Sequence, residues 1–261
     1  MIMILLFLVI AIMVFSSQTN TGSESSIEKE KNIRISKLDQ PCSDNKYTII
    51  NHTFFSLAYD ESSEQALWVS YTLTDEMTNK NADRDDCTFK TDPLLSTGVN
   101  PSDYAKSGYD RGHLCPAADM SFDIQALTET FYMSNMSPQE PGFNRGIWKK
   151  LEETVRSWAT RDNEIIIASG GSLKYTKGTI GNKHKISIPT YFYKVILDYQ
   201  EPEIKAIAFV LRNESSSMPL HTFAVSVDSV EKMTGIDFFC NLPDEIEKRL
   251  EAACTIKQWF K

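Results

Sequence analysis

"GYDRGHLCPAADM" (residues 108–120) sets one of the chain's four histidines between Asp110-Arg111-Gly112 and Cys115-Pro116. The run "DRGHL" reads as a short strand, and Pro116 ends it because proline has no N–H to give to a ladder. A single histidine in a strand is more often structural than catalytic. The residues that follow decide between the two.

Downstream, "DIQALTETFYMSNMSPQEPGFN" (residues 123–144) opens as a helix and passes into a loop marked by Pro138, Pro141 and Gly142. In "GIWKKLEETVRSWAT" (residues 146–160), Ile147, Trp148, Leu151, Val155 and Trp158 recur at helical spacing. This predicts an amphipathic helix with Asn144 just before or at its first turn, where asparagine is also a favoured cap. Upstream, "TFFSLAYDESSEQALWVSYTL" (residues 53–73) is two β-rich runs around a polar turn, a hairpin signal. Residues 75–107 read as a long irregular excursion. "EIIIASG" (164–170), "TYFYKVILDY" (190–199) and "IKAIAFVL" (204–211) are β-rich, the last two expected as antiparallel neighbours. "DSVEKMTG" (228–235) predicts a helix capped by Asp228, with Glu231 three residues on and Gly235 as its stop. Strands with a few helices and no regular βαβ alternation make the class α+β.

The 261 residues are 41% hydrophobic and 24% charged, with a net charge of −8. That charge argues against a protein that coats polyanions generally. It leaves room for a local basic groove, since Arg84, Lys90, Lys106, Arg111, Arg145, Lys149 and Lys150 fall in one third of the chain. The five cysteines contain no C-x-x-C pair, so nothing marks a structural zinc site. A helix over "PDEIEKRLEAAC" keeps Cys240 from Cys254, because the residues before it reach back only about 10 Å. The first fifteen residues, "MIMILLFLVIAIMVF", are entirely apolar and short for a bilayer span. They predict an exported protein, secreted or periplasmic, with residues 1–17 as signal peptide. The alternative is a membrane anchor through residues 1–15, as no Lys or Arg precedes the run. Polar residues 18–45 read as a tether, leaving 46–261 as the folded domain.

His113 at a strand end, Asn144 at a helix head and Glu152 inside that helix form a chemical group. Eight residues apart on a helix, Asn144 and Glu152 lie about 12 Å apart along the axis and about 80° around it. A hydrated Mg²⁺, which keeps several waters and takes few protein ligands, fills such a gap. An imidazole whose second nitrogen is held by an acceptor is a suitable base for activating water.

These residues strongly resemble the DNA/RNA non-specific endonucleases, a ββα-metal (His-Me finger) group. The signature is "DRGHL.P" followed by "FYMSNMSPQEPGFNRGIWKKLE" over about residues 46–240. The resemblance implies a central, mainly antiparallel sheet flanked by helices, and an endonuclease domain at 46–261. It implies Mg²⁺-dependent hydrolysis of DNA and RNA giving 5′-phosphate ends, with Mn²⁺ as a substitute metal. His113 matches the general base, Asn144 the direct metal ligand, and Glu152 the carboxylate that reaches the metal through water. Asn135 matches a second active-site amide, Arg111 a phosphate-region arginine, and Arg84 the expected upstream arginine. Cys115 stands where relatives often carry a small residue, and it is expected to stay unpaired. Two competing readings are a phosphodiesterase for a small or lipid-linked phosphodiester and a catalytically silent nucleic-acid-binding module.

Overall fold

Side chains alternate across a strand with period two, and the strands of this chain use that alternation to build a core on each side of one sheet. The computed structural model describes residues 40–42, 46–96 and 98–261. In chain order the strands are β1 (Thr48–Asn51), β2 (Ser56–Asp60), β3 (Gln65–Thr74), β4 (Asp110–His113), β5 (Met136–Gln139), β6 (Glu164–Gly171), β7 (Thr176–Ile180), β8 (Ile186–Pro189), β9 (Tyr191–Asp198), β10 (Lys205–Arg212) and β11 (Ala224–Val225). The helices are α1 (Ile124–Glu129), α2 (Lys149–Asp162), α3 (Val227–Thr234), α4 (Asp244–Ala252) and α5 (Ile256–Trp259). The large sheet runs β1-β2-β3-β6-β9-β10-β11, and every neighbouring pair is antiparallel. The expected hairpin and the expected β9–β10 pairing are both present.

On β9, Phe192 and Ile196 join Tyr71, Ile167 and Phe209 in the first core, while Tyr193, Val195 and Leu197 join Trp68, Ile166 and Ala208 in the second. Helix α2 lays Leu151, Val155 and Trp158 on the first core beside Trp259 of α5. Burying one such side chain is worth about 1.5–3 kcal/mol, which is what seats α2 on the sheet. Helices α3 and α4 lay Val227, Val230 and Leu250 on the second core. The α+β architecture with a mainly antiparallel sheet flanked by helices therefore stands.

A separate two-stranded ladder carries the histidine. β4 pairs with β5 in the register Asp110↔Gln139 to His113↔Met136. Gly112 is required there, because a Cβ at that position would collide with the Gln139 side chain. The excursion before β4 is pinned by buried Asp92, which accepts from Leu94 N (2.9 Å) and Ser134 Oγ and meets His52 Nε2 at 3.0 Å. Lys90 N donates to Phe131 O (3.2 Å) and Met133 N to Lys90 O (2.9 Å), which brings Phe89 against the ladder.

Three local expectations change. Helix α3 is capped by Ser226, whose Oγ accepts from Ser229 N, rather than by Asp228; Gly235 is its left-handed stop (φ 80°) as expected. Asn144 is not a helix cap, since it sits within a π-helical turn, Phe143–Trp148, kinked at Gly146 ahead of α2. Cys42, placed in the tether by its surroundings, is bonded to Cys240, with Cα atoms 6.1 Å apart. Cys240 is thus not bridged to Cys254, in line with the helix-length argument; Cys254 is free, and buried Cys115 is unpaired as expected. Among the described residues no helix is long and apolar enough to cross a membrane. The expectations for residues 1–17 and for 18–39 lie outside the described residues.

Candidate active site

The end of β4, the Phe143–Trp148 turn and the first turns of α2 border one cavity of about 660 Å³. Lys80, Arg84, Arg111, Arg145, Lys149 and Arg156 line it against Asp110, Glu152 and Glu153. Six cations against three carboxylates make this a locally positive groove in a chain of net charge −8.

Asp110 organises the groove. Its Oδ2 accepts from Asn144 Nδ2 (2.9 Å) and from Arg145 Nε (2.8 Å), and its Oδ1 accepts from Arg145 Nη2 (2.6 Å). Burial alone would raise the Asp110 carboxyl, but the bonds from Arg145 and Asn144 outweigh it and hold it below the usual range. A carboxylate can only accept, so the NH₂ end of Asn144 must face Asp110. The Asn144 oxygen is then the end left for the cavity. Asn144 sits in a wide turn rather than in regular helix, and such turns recur at functional sites.

His113 lies between Phe89 (ring centroids 5.6 Å) and Phe131 (5.1 Å). Its Nε2 is sealed from solvent without a hydrogen-bond partner, which leaves Nδ1 as the nitrogen toward the cavity. The acceptor expected at the second nitrogen is absent among the described residues. Burial, and then the Arg84 guanidinium, push the imidazole down to about 3, so the ring is neutral near pH 7. Arg84 stands over the Phe131 ring (5.6 Å) and Arg111 over Phe89 (5.0 Å). Arg111 also donates from Nη2 to Pro101 O (2.9 Å), which fixes its fork.

Burial pushes Glu152 up to about 7; Lys194 pulls against this shift and Asp119 reinforces it. Beneath it, Asp119 accepts from Tyr71 Oη (2.8 Å) and from Arg156 Nε (2.8 Å). Lys194, 1% exposed, stands over the Trp148 ring at 5.0 Å with no acceptor for its Nζ. A partly buried carboxyl with its oxygens uncommitted to another side chain is, together with the Asn144 oxygen, a donor set suited to a hard cation.

The family model for the DNA/RNA non-specific endonucleases matches residues 35–245. The chain belongs to this family. The mitochondrial nuclease of Saccharomyces cerevisiae is 34% identical over 231 residues, covering 79% of this chain and 70% of that protein. Endonuclease G of Homo sapiens is 31% identical over 202 residues, covering 72% and 68%. A chain from the crystal structure of the EndoG/EndoGI complex, which addresses EndoG inhibition, matches with TM-score 0.72 at 32% identity. That match covers 78% of this chain and 89% of that one. The ββα-metal nuclease fold is thus shown, and the protein is a nuclease, a phosphodiester hydrolase acting on DNA and RNA.

The expectation of export is overturned by these relatives, several of which are mitochondrial nucleases and point away from secretion. Within the nuclease, Arg84, Arg111, His113, Asn144 and Glu152 border the one cavity, whereas Asn135 does not. Asn135 is fully buried; its Oδ1 accepts from Cys115 N (2.8 Å), and its Nδ2 donates to Cys115 O and Thr130 O (2.9 Å each). With both ends of its amide engaged by backbone, Asn135 braces the chain at Cys115, two positions beyond His113, and does not border the cavity. Sequence reasoning missed Arg156, Asp119 and Lys194. Arg156, four residues after Glu152, shares its helix face, and Lys194 is a lone cation inside "YFYKVILDY"; both were readable signals.

Proposed function

We propose that the chain is a Mg²⁺-dependent, sugar-non-specific endonuclease that leaves 5′-phosphate and 3′-hydroxyl ends, with Mn²⁺ as a substitute metal. The observation that carries the reading is Asn144. Asp110 fixes its amide so that an oxygen is offered to the cavity that His113 also borders. Asn144 would hold the cation directly and Glu152 through water. A bound Mg²⁺ would supply neutralisation of the charge that develops on the departing 3′ oxygen.

The chain's own groups do the rest. His113, neutral through burial, takes a proton from the attacking water at Nδ1. The water oxygen bonds to phosphorus as the bond to the 3′ oxygen breaks, so the phosphate stays on the downstream fragment. Arg84 and Arg111, braced on Phe131 and Phe89, bind the phosphate oxygens. Since the nucleophile comes from solvent, no 2′-hydroxyl is needed, and DNA and RNA are cut alike. The test is to digest a defined DNA and its RNA counterpart, with and without chelator, and to identify the termini. We expect 5′-phosphates from both and no product with chelator. Cyclic 2′,3′-phosphates with DNA left uncut would reject the role given to His113.

A further inference from the structure

Asp110 is a carboxylate that borders the cavity beside Asn144, yet it is the neutral amide that offers an oxygen to a cation. Hard divalent cations ordinarily favour a charged carboxylate. Distance does not keep Asp110 away. Its Oδ2 lies 2.9 Å from Asn144 Nδ2. The two ends of an amide are about 2.2 Å apart, so this carboxylate stands within about 5 Å of the Asn144 oxygen. A small rotation of the Asp110 side chain reaches a cation held there.

Arg145 is what occupies Asp110. Its Nε donates to Oδ2 (2.8 Å) and its Nη2 to Oδ1 (2.6 Å), so with Asn144 Nδ2 also on Oδ2 both oxygens are engaged. Successive side chains on a regular helix diverge by about 100°. Here two neighbours in the wide Phe143–Trp148 turn converge on one carboxylate. Exposed ion pairs are usually weak, and the Arg145 side chain is 72% exposed. A two-point fork is the exception, because the planar guanidinium matches both oxygens of the carboxylate at once, and the Asp110 side chain is only 18% exposed.

We propose that Arg145 is a positioning residue: its fork confines Asp110 to bracketing the Asn144 amide and keeps that carboxylate out of the cation's ligand set. This role presupposes the cation reading of Asn144 and Glu152 given above. Fewer anionic ligands leave more of a cation's charge for the departing 3′ oxygen. Without the fork, Asp110 is free to ligate, to displace a water and to release the Asn144 amide. Binding should then tighten while cleavage slows, the opposite of what ordinary damage to a metal site does.

The test uses Mn²⁺ as probe on the full-length protein. Electron paramagnetic resonance of free Mn²⁺ gives Kd, and water-proton relaxation gives the number of waters on the bound ion. We expect Arg145→Ala to bind Mn²⁺ at least about tenfold tighter than wild type, with about one bound water fewer, and to cleave DNA at least about tenfold more slowly at saturating Mn²⁺. Adding Asp110→Ala should restore the lost water. The water count separates this role from simple loss of a nearby positive charge, which would tighten binding with hydration unchanged. Unchanged hydration in Arg145→Ala would overturn the role. So would a raised KM for DNA with wild-type Mn²⁺ binding, which would make Arg145 a phosphate contact instead. Mn²⁺ binding that Asn144→Ala leaves unaltered would reject the Asn144 reading itself, and this role with it.

Discussion

His113 keeps its lone pair because the burial of a ring packed against Phe89 and Phe131, and then the Arg84 charge, disfavour a second proton. His113→Ala should lower the cleavage rate about 10²–10⁴-fold while folding persists, read by plasmid nicking beside circular dichroism. A variant that retained a third of the rate would make the histidine structural. On the proposed function, Glu152 is the group expected to set the pH dependence. At about 7 its carboxyl is largely protonated in mild acid, and a cation competes with that proton. With limiting Mg²⁺, activity should fall as pH drops through about 7, and saturating Mg²⁺ should move this limb to lower pH. Without metal the sign reverses for stability. The raised value favours the folded state fully below the unfolded value of about 4.3, and that gain is lost as pH rises through about 7. In chelator, Glu152→Gln should melt higher than wild type at pH 8 and not at pH 4. Asn144→Ala should raise the Mg²⁺ midpoint more than Glu152→Gln, since a direct ligand is lost; an unchanged midpoint would end its assignment as ligand.

The β4–β5 ladder and the kinked turn before α2 bring the two halves of the site together, and Asn135 locks the ladder's exit. Asn135→Ala leaves Cys115 N, Cys115 O and Thr130 O without partners in a buried place. We expect a loss of about 2–5 kcal/mol in denaturant unfolding, from about 1–3 kcal/mol per orphaned group with some relaxation. Activity per folded molecule should drop far less than in His113→Ala. A loss of rate equal to that of His113→Ala in a fully stable variant would return Asn135 to the cavity's chemistry. Gly112 is visible in the sequence only as part of a motif; its reason, the Gln139 side chain packed across the ladder, exists only once the strands pair.

The charge of −8 and the cationic groove answer different questions. Total charge governs solubility and long-range repulsion, while six cations around one cavity set the local field there. On the proposed function, nucleic-acid binding to a catalytically silenced His113→Ala variant should fall steeply with salt and show weak sequence preference, because the groove offers cations for backbone phosphates. Fluorescence anisotropy with unrelated duplexes across a salt series checks this; a flat salt response would remove the groove from recognition.

The strands, the amphipathic α2 and the His113, Asn144 and Glu152 set were legible because period-two and period-3.6 patterning and a spaced motif are properties of the chain order. The Asp110 contact that turns the Asn144 amide was not legible, since it joins residues 34 apart in the chain. Nor was the diversion of Asn135 to backbone groups 5 and 20 residues away. The same holds for the Cys42–Cys240 bond across 198 residues and for the burial that places Lys194 beneath Glu152. Local order determines which residues are available to the site. Hydrogen-bond partners and desolvation, which depend on segments distant in the chain, determine which of them face the substrate and in what protonation state.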